Sequence, residues 1–208
     1  MKAIKSLLLV TMCLTSVVVF SQDGEDGNVE RQSLRRIAKM EKVGFAFKNR
    51  KGLEGRFESM LAKRFELNDG GDNTYLILET TTKHKDQQIA EDLMKYKITV
   101  DLASKIKGEI LQTIETELMQ SNKYWELGGH SYFLEVQQAI DEVSLSTAVN
   151  LAPLDVVYEA SRQSNKNYEY TVGHIYDRKR MLDLFIFAAS DYEILDSIYW
   201  LTKDEPEP

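Results

Sequence analysis

The strongest pattern of apolar and polar positions runs from Asp86 to about Gln120. Ile89, Leu93, Tyr96, Val100, Ala103, Ile110 and Ile114 recur at steps of three, four and seven residues, without an intervening proline. Lys, Glu, Asp and Gln fill the other faces. This spacing predicts one long helix with a single apolar stripe, roughly 52 Å from end to end. Gly108, near its middle, is the expected place for a bend. A stripe of that length needs a long partner, either a sheet beneath it or a second helix. Phe133, Val136, Ile140, Val143 and Thr147 repeat in the same manner and predict a second helix to about Asn150, with Pro153 blocking its continuation.

Strand-forming segments flank these helices. Thr74–Thr80 is rich in strand formers and bounded by turn residues. Leu154–Ala160 and Tyr168–Tyr176 predict two more strands, joined through the polar turn Gln163–Asn167. On the last of these, Tyr168, Tyr170, Val172 and His174 share one face by the two-residue period. Nearer the N-terminus, Leu34, Ile37 and Met40 or Glu41 fall at helical spacing among Arg31, Arg35, Arg36 and Lys39. Val43–Phe47 is expected as a short strand or a docking segment. Phe57, Met60, Leu61 and Phe65 mark a short amphipathic helix that stops at Asn68-Asp-Gly-Gly71. Arg178–Leu201 carries Leu182, Phe185, Phe187, Ile194, Ile198 and Leu201 among Asp183, Asp191, Glu193 and Asp196. Those carboxylates exclude a membrane span and predict one or two docked helices. The fold class is therefore α+β: a small curved antiparallel sheet packed against one long helix, with a bracing second helix and C-terminal helices.

The first 21 residues differ from the rest. Lys2 and Lys5 precede an apolar run from Leu7 to Phe20, and Asp23-Gly-Glu-Asp-Gly27 then turns polar. This is the pattern of a secretory signal cut near Ser21, and the run is shorter than the ~20 residues of a membrane span. The expected layout is a signal at 1–21, a flexible acidic leader at 22–30, a single domain at 31–201 and a disordered acidic tail at 202–208. The protein is expected in the periplasm or secreted. Cys13 is the only cysteine, and Met12 stands before it where a lipoprotein signal needs a small residue, so a lipid anchor there is not expected. A chain cut at Ser21 carries no thiol, which removes disulfides, cysteine nucleophiles and thiolate metal sites together.

Charge narrows the partners. Of 208 residues, 33 are acidic and 26 basic, a formal charge of −7 that becomes −9 once Lys2 and Lys5 leave with the signal. Without a basic block, nucleic acid and anionic lipid are poor partners. The three histidines, His84, His130 and His174, have no metal-ligand spacing and form no His-Glu-x-x-His motif. His84 belongs to a lysine-flanked polar turn. His174 lies on the tyrosine face, as a packed strand residue. His130 follows Gly128-Gly129, near Trp125 and Glu126, in the one loop with the character of a site. Its simpler role is a helix start capped by Ser131. No nucleophile elbow and no phosphate-cradling glycine loop occur. No catalytic residue, metal or cofactor is expected. Tyr158, Tyr168, Tyr170, His174 and Tyr176 gather around the predicted hairpin, as an interaction surface or as sheet packing beneath the long helix.

The order of strand, long helix, second helix and hairpin, with Phe65-Glu-Leu-Asn-Asp-Gly-Gly71, Thr74-Tyr-Leu-Ile-Leu-Glu79, Ile89-Ala-Glu-Asp-Leu-Met-Lys95 and Leu102-Ala-Ser-Lys-Ile106, resembles the Lpp-twenty lipoprotein family. Val143-Ser144, Leu154-Asp-Val-Val-Tyr-Glu159 and Asn165-Lys-Asn-Tyr-Glu-Tyr-Thr-Val172 extend the resemblance over about residues 57–177. It implies an α+β domain, with a curved antiparallel sheet cradling a long helix, in a non-enzymatic envelope protein. The functional expectation is an exported envelope protein with a structural or protein-binding role, self-association included. A small-ligand-binding periplasmic protein, with a pocket lined by Tyr170 and Tyr158, and a secreted hydrolase using His130 are the alternatives.

Overall fold

A computed structural model of the protein describes residues 26–120 and 130–195. Among them the order is α1 (Asp26–Lys42), β1 (Ala46–Phe47), α2 (Leu53–Lys63), β2 (Tyr75–His84), α3 (Gln87–Gln120), α4 (His130–Asn150), β3 (Asp155–Ser164), β4 (Asn167–Asp177) and α5 (Arg178–Ala189). The strands form one antiparallel sheet in the order β1-β3-β4-β2. The fold is α+β, as expected. Among the described residues, no helix is long and apolar enough to cross a membrane.

Both faces of the sheet are covered. On one side Leu76 and Leu78 of β2 and Tyr176 of β4 pack with α3, α4 and α5 through Leu102, Ile106, Ile110, Ile140, Val143 and Phe185. On the other, Val157, Tyr158, Ala160 and Ile175 pack with Ile37 of α1 and Leu53, Phe57 and Met60 of α2. The two-residue alternation of β2 feeds both cores, since Leu76, Leu78, Thr80 and Thr82 are buried while Tyr75, Ile77 and Glu79 are half-buried. The β3–β4 turn is Asn165-Lys166, both with positive φ (50° and 63°), the geometry of a two-residue hairpin with primed-turn twist. Asp86 caps α3, its carboxylate accepting the Ile89 N–H at 3.0 Å. Asp177 caps α5 in the same way, through Arg180 N–H at 2.8 Å.

Several expectations are corrected. The leader is helical from Asp26, because α1 starts there rather than beyond residue 30. Phe65 lies past the end of α2 and is exposed, and Leu34 and Phe187 are exposed on α1 and α5. β2 runs four residues beyond Thr80, so His84 ends a strand instead of standing in a turn. Its ring accepts the Asp86 N–H at 3.0 Å and turns the chain into α3. Ser131 lies within α4 rather than capping it, since the helix already includes His130.

The largest correction concerns α3. Ile89, Leu93, Tyr96 and Val100, expected to face the core, are 46, 41, 70 and 38% exposed. The buried line is Ala90, Met94, Leu102, Ile106, Ile110 and Ile114, with half-buried Ile98 between them. Each step of four residues advances ~40° beyond a full turn, so this line winds about 240° around the helix from Ala90 to Ile114. It starts against the sheet and ends against α4. A stripe of threes and fours stays nearly straight, and the two coincide only at Ile110 and Ile114.

A bulge between Val156 and Tyr158 shapes the opposite core. Its extra residue, Val157, turns its carbonyl to Arg56, whose Nε donates at 2.8 Å while the other guanidinium nitrogens hold the carbonyls of Asn49 and Lys51. Past the bulge, the Tyr158 ring crosses β4 directly over Gly173, stacking on Phe57 at 4.9 Å. A Cβ on Gly173 would stand 2.4 Å from Tyr158 Cε1, so glycine is required there by the ring rather than by backbone conformation. Gly173→Ala should cost about 2 kcal/mol in denaturant unfolding. In a Tyr158→Val background the cost should fall to well under half, and equal costs in both backgrounds would refute the contact.

Candidate functional site

The residues singled out by sequence do not form one surface. Tyr168, Tyr170, His174 and Tyr176 share the α3 side of β4, but His174 and Tyr176 are buried and only Tyr168 and Tyr170 reach solvent. Tyr158 is on the other side of the sheet, buried among α2 residues. A pocket lined by both Tyr170 and Tyr158 is therefore excluded by the bulge, which moves Tyr158 to the opposite face from its neighbour Val156. His130 stands exposed at the start of α4. Trp125, Glu126 and Cys13 lie outside the described residues, as do Ile198 and Leu201.

Three features remain where chemistry or binding could occur. The first is a polar centre below the sheet that was not anticipated. Glu79 accepts the Tyr158 hydroxyl at 2.8 Å, receives Arg64 Nη2 at 3.2 Å and is ion-paired with Arg36. Burial holds Arg36 below its ordinary value and raises the Tyr158 phenol, the cation opposing the second shift. Every polar group in this centre has a partner, and no carboxylate is left to act as a base. A lone glutamate within Tyr75-Leu-Ile-Leu-Glu79 was its only sequence signal, because a charge on a half-buried strand face must find cations.

The second feature is a cleft of about 560 Å³ between α3 and strands β1, β3 and β4. Val172, His174, Glu159 and Tyr170 form its floor; Glu91, Met94 and Ile98 form the helix wall. Tyr170 donates to Glu91 at 2.7 Å, which holds that carboxylate below its usual range. Partial burial and the same bond raise the phenol. Glu159 is ion-paired with Lys48 at 2.6 Å. His174 Nδ1 lies 3.2 Å from the Tyr176 hydroxyl, and burial pushes that phenol up to about 12. Burial also holds His174 below its ordinary value, against a smaller opposing pull from Glu159. The imidazole is thus neutral and hydrogen-bonded inside the fold. Among the described residues, no three His, Cys, Asp or Glu side chains gather as metal ligands.

The third feature is the outer side of α3. Ile89, Leu93, Tyr96 and Val100 follow each other along the helix, all facing away from the sheet. Lys107 lies on the same line and pairs with Asp141 of α4 at 2.6 Å. That bond sets α4 alongside, so exposed Leu145 and Val149, one and two turns beyond Asp141, continue the apolar strip.

The His174 geometry fixes a pH response. Because the folded-state value lies below the unfolded one, the unfolded chain binds the extra proton, and the folded state loses stability as pH falls from about 6.5 toward the depressed value. Wild-type unfolding free energy should therefore drop between pH 7 and 5, by at most ~1.4 kcal/mol per pH unit from this group. His174→Gln should flatten that drop; an unchanged slope would refute the assignment. Comparisons with protein families, characterised proteins and solved structures return no match for this chain.

Proposed function

We propose that this protein is a non-enzymatic, exported protein of the bacterial cell envelope whose role is structural or protein-binding, and that the outer side of α3 is its binding face. The carrying observation is the exposure of Ile89, Leu93, Tyr96 and Val100 in one line on a helix whose other sides are polar or buried. Contiguous apolar surface of this kind, rimmed by Asp92 and Lys97, is the usual mark of an interaction site. The reactive groups support the same reading from the other side. Glu79, Glu91 and Glu159 are engaged in bonds that hold elements together, and His174 is bonded to Tyr176 within β4. The signal-like residues 1–21 and the resemblance to Lpp-twenty proteins, which spans α2 to β4, favour the envelope.

A second reading rests on the cleft beside Tyr170 and His174, large enough for a small ligand. The two are separated by a photo-activatable phenylalanine analogue placed at Tyr96 or, in a second strain, at Tyr170, in intact cells. The binding-face reading expects a discrete protein adduct from position 96 and none from position 170. Silence at 96 with a small molecule carried through purification would transfer the function to the cleft.

A further inference from the structure

Resting on that reading, we infer that the occupant of the α3 face is a second copy of this chain, docked with its own α3 parallel across a two-fold axis. Ile89, Leu93, Tyr96 and Val100 follow the alternating four–three spacing with which two helices mesh side by side. Asp92 flanks this seam on one side and Lys97 flanks it on the other. Their side chains are 58 and 45% exposed. Five residues separate them, the offset that sets Asp92 of one helix beside Lys97 of a parallel neighbour, twice by symmetry. Antiparallel docking brings like sides together, and in the register that pairs Ile89 with Val100 it sets Lys97 against Ala90 and forms no ion pair. Charge therefore selects a parallel second copy over an antiparallel one.

The area supports a dimer as well. The four α3 side chains with Leu145 and Val149 would remove on the order of 600 Å² per copy from water, before the polar rim, against ~800 Å² for a standard specific interface. In the resulting order of layers, the two α3 helices form the centre, each backed by its own sheet. Lys97, held at 2.6 Å from Asp101 within its own copy, bridges to Asp92 of the other.

The test uses the full chain with Cys13→Ser. Ile89→Cys and Val100→Cys, oxidised singly, should each give a disulfide-linked dimer joining like-numbered positions. An equimolar mixture of the two that links only position 89 to position 100, or no link at all, overturns the parallel dimer. In sedimentation equilibrium, Tyr96→Glu should raise the dimer dissociation constant at least tenfold. Asp92→Lys should weaken it too, and Asp92→Lys with Lys97→Asp should restore it. A monomeric wild type overturns the proposal. If that monomer still gives an adduct with another protein from position 96, only self-association fails. If it gives none, the binding-face reading fails with it.

Discussion

The tyrosine that lies across Gly173 holds the lower half of this protein together. Tyr158 starts on β3, passes over β4 where only a hydrogen is tolerated, and ends on Glu79 of β2, so one side chain spans three strands. Its ring gives Phe57 of α2 a flat surface to stack on, and its hydroxyl shares Glu79 with Arg36 of α1 and Arg64 at the end of α2. Two helices are thereby fixed to the sheet through one carboxylate. Were the bulge absent, Tyr158 would point to the α3 side, Glu79 would lose its neutral donor, and Phe57 would face an empty strand.

The upper half depends on a different device. The buried line of α3 winds around the helix, so a single element serves first as a lid on β2 and β4 and then as a partner for α4. This uses the helix economically, but it leaves the far side of the first three turns without a neighbour among the described residues. Apolar side chains kept on that side join neither core of the described residues. Their presence there is the physical reason for assigning them to binding, and the charges beside them set the direction in which a second helix can dock.

Much of the architecture was legible in the sequence. Strand formers bounded by turn residues marked β2, β3 and β4; the steps through Val136, Ile140, Val143 and Thr147 marked α4; and the polar run Gln163–Asn167 marked the hairpin. The sidedness was not. On α3 two apolar lines coexist, and periodicity alone favours the straighter one, whereas the sheet and α4 together select the winding one. On β3 the inserted Val157 reverses the parity of everything after Val156, and an insertion leaves no trace in the alternation of Leu154-Asp-Val-Val-Tyr-Glu159. The Glu79 centre was hidden for a related reason, since its cations come from residues 43 positions earlier and 15 positions earlier in the chain. The candidate tyrosine surface failed on the same point, with Tyr158 on one face and Tyr176 and His174 buried on the other.

The central claim is that α3 has one side that makes the fold and another that does not. Unfolding free energy, measured at concentrations low enough for any assembly to be dissociated, tests it through two paired substitutions. Leu93→Ser with Tyr96→Ser, on the outer side, should leave stability within about 1 kcal/mol of wild type. Ile106→Ser with Ile110→Ser, on the winding line, should cost upwards of about 4 kcal/mol. Comparable losses from both pairs would mean that the outer side is covered within the chain itself, and would contradict the account.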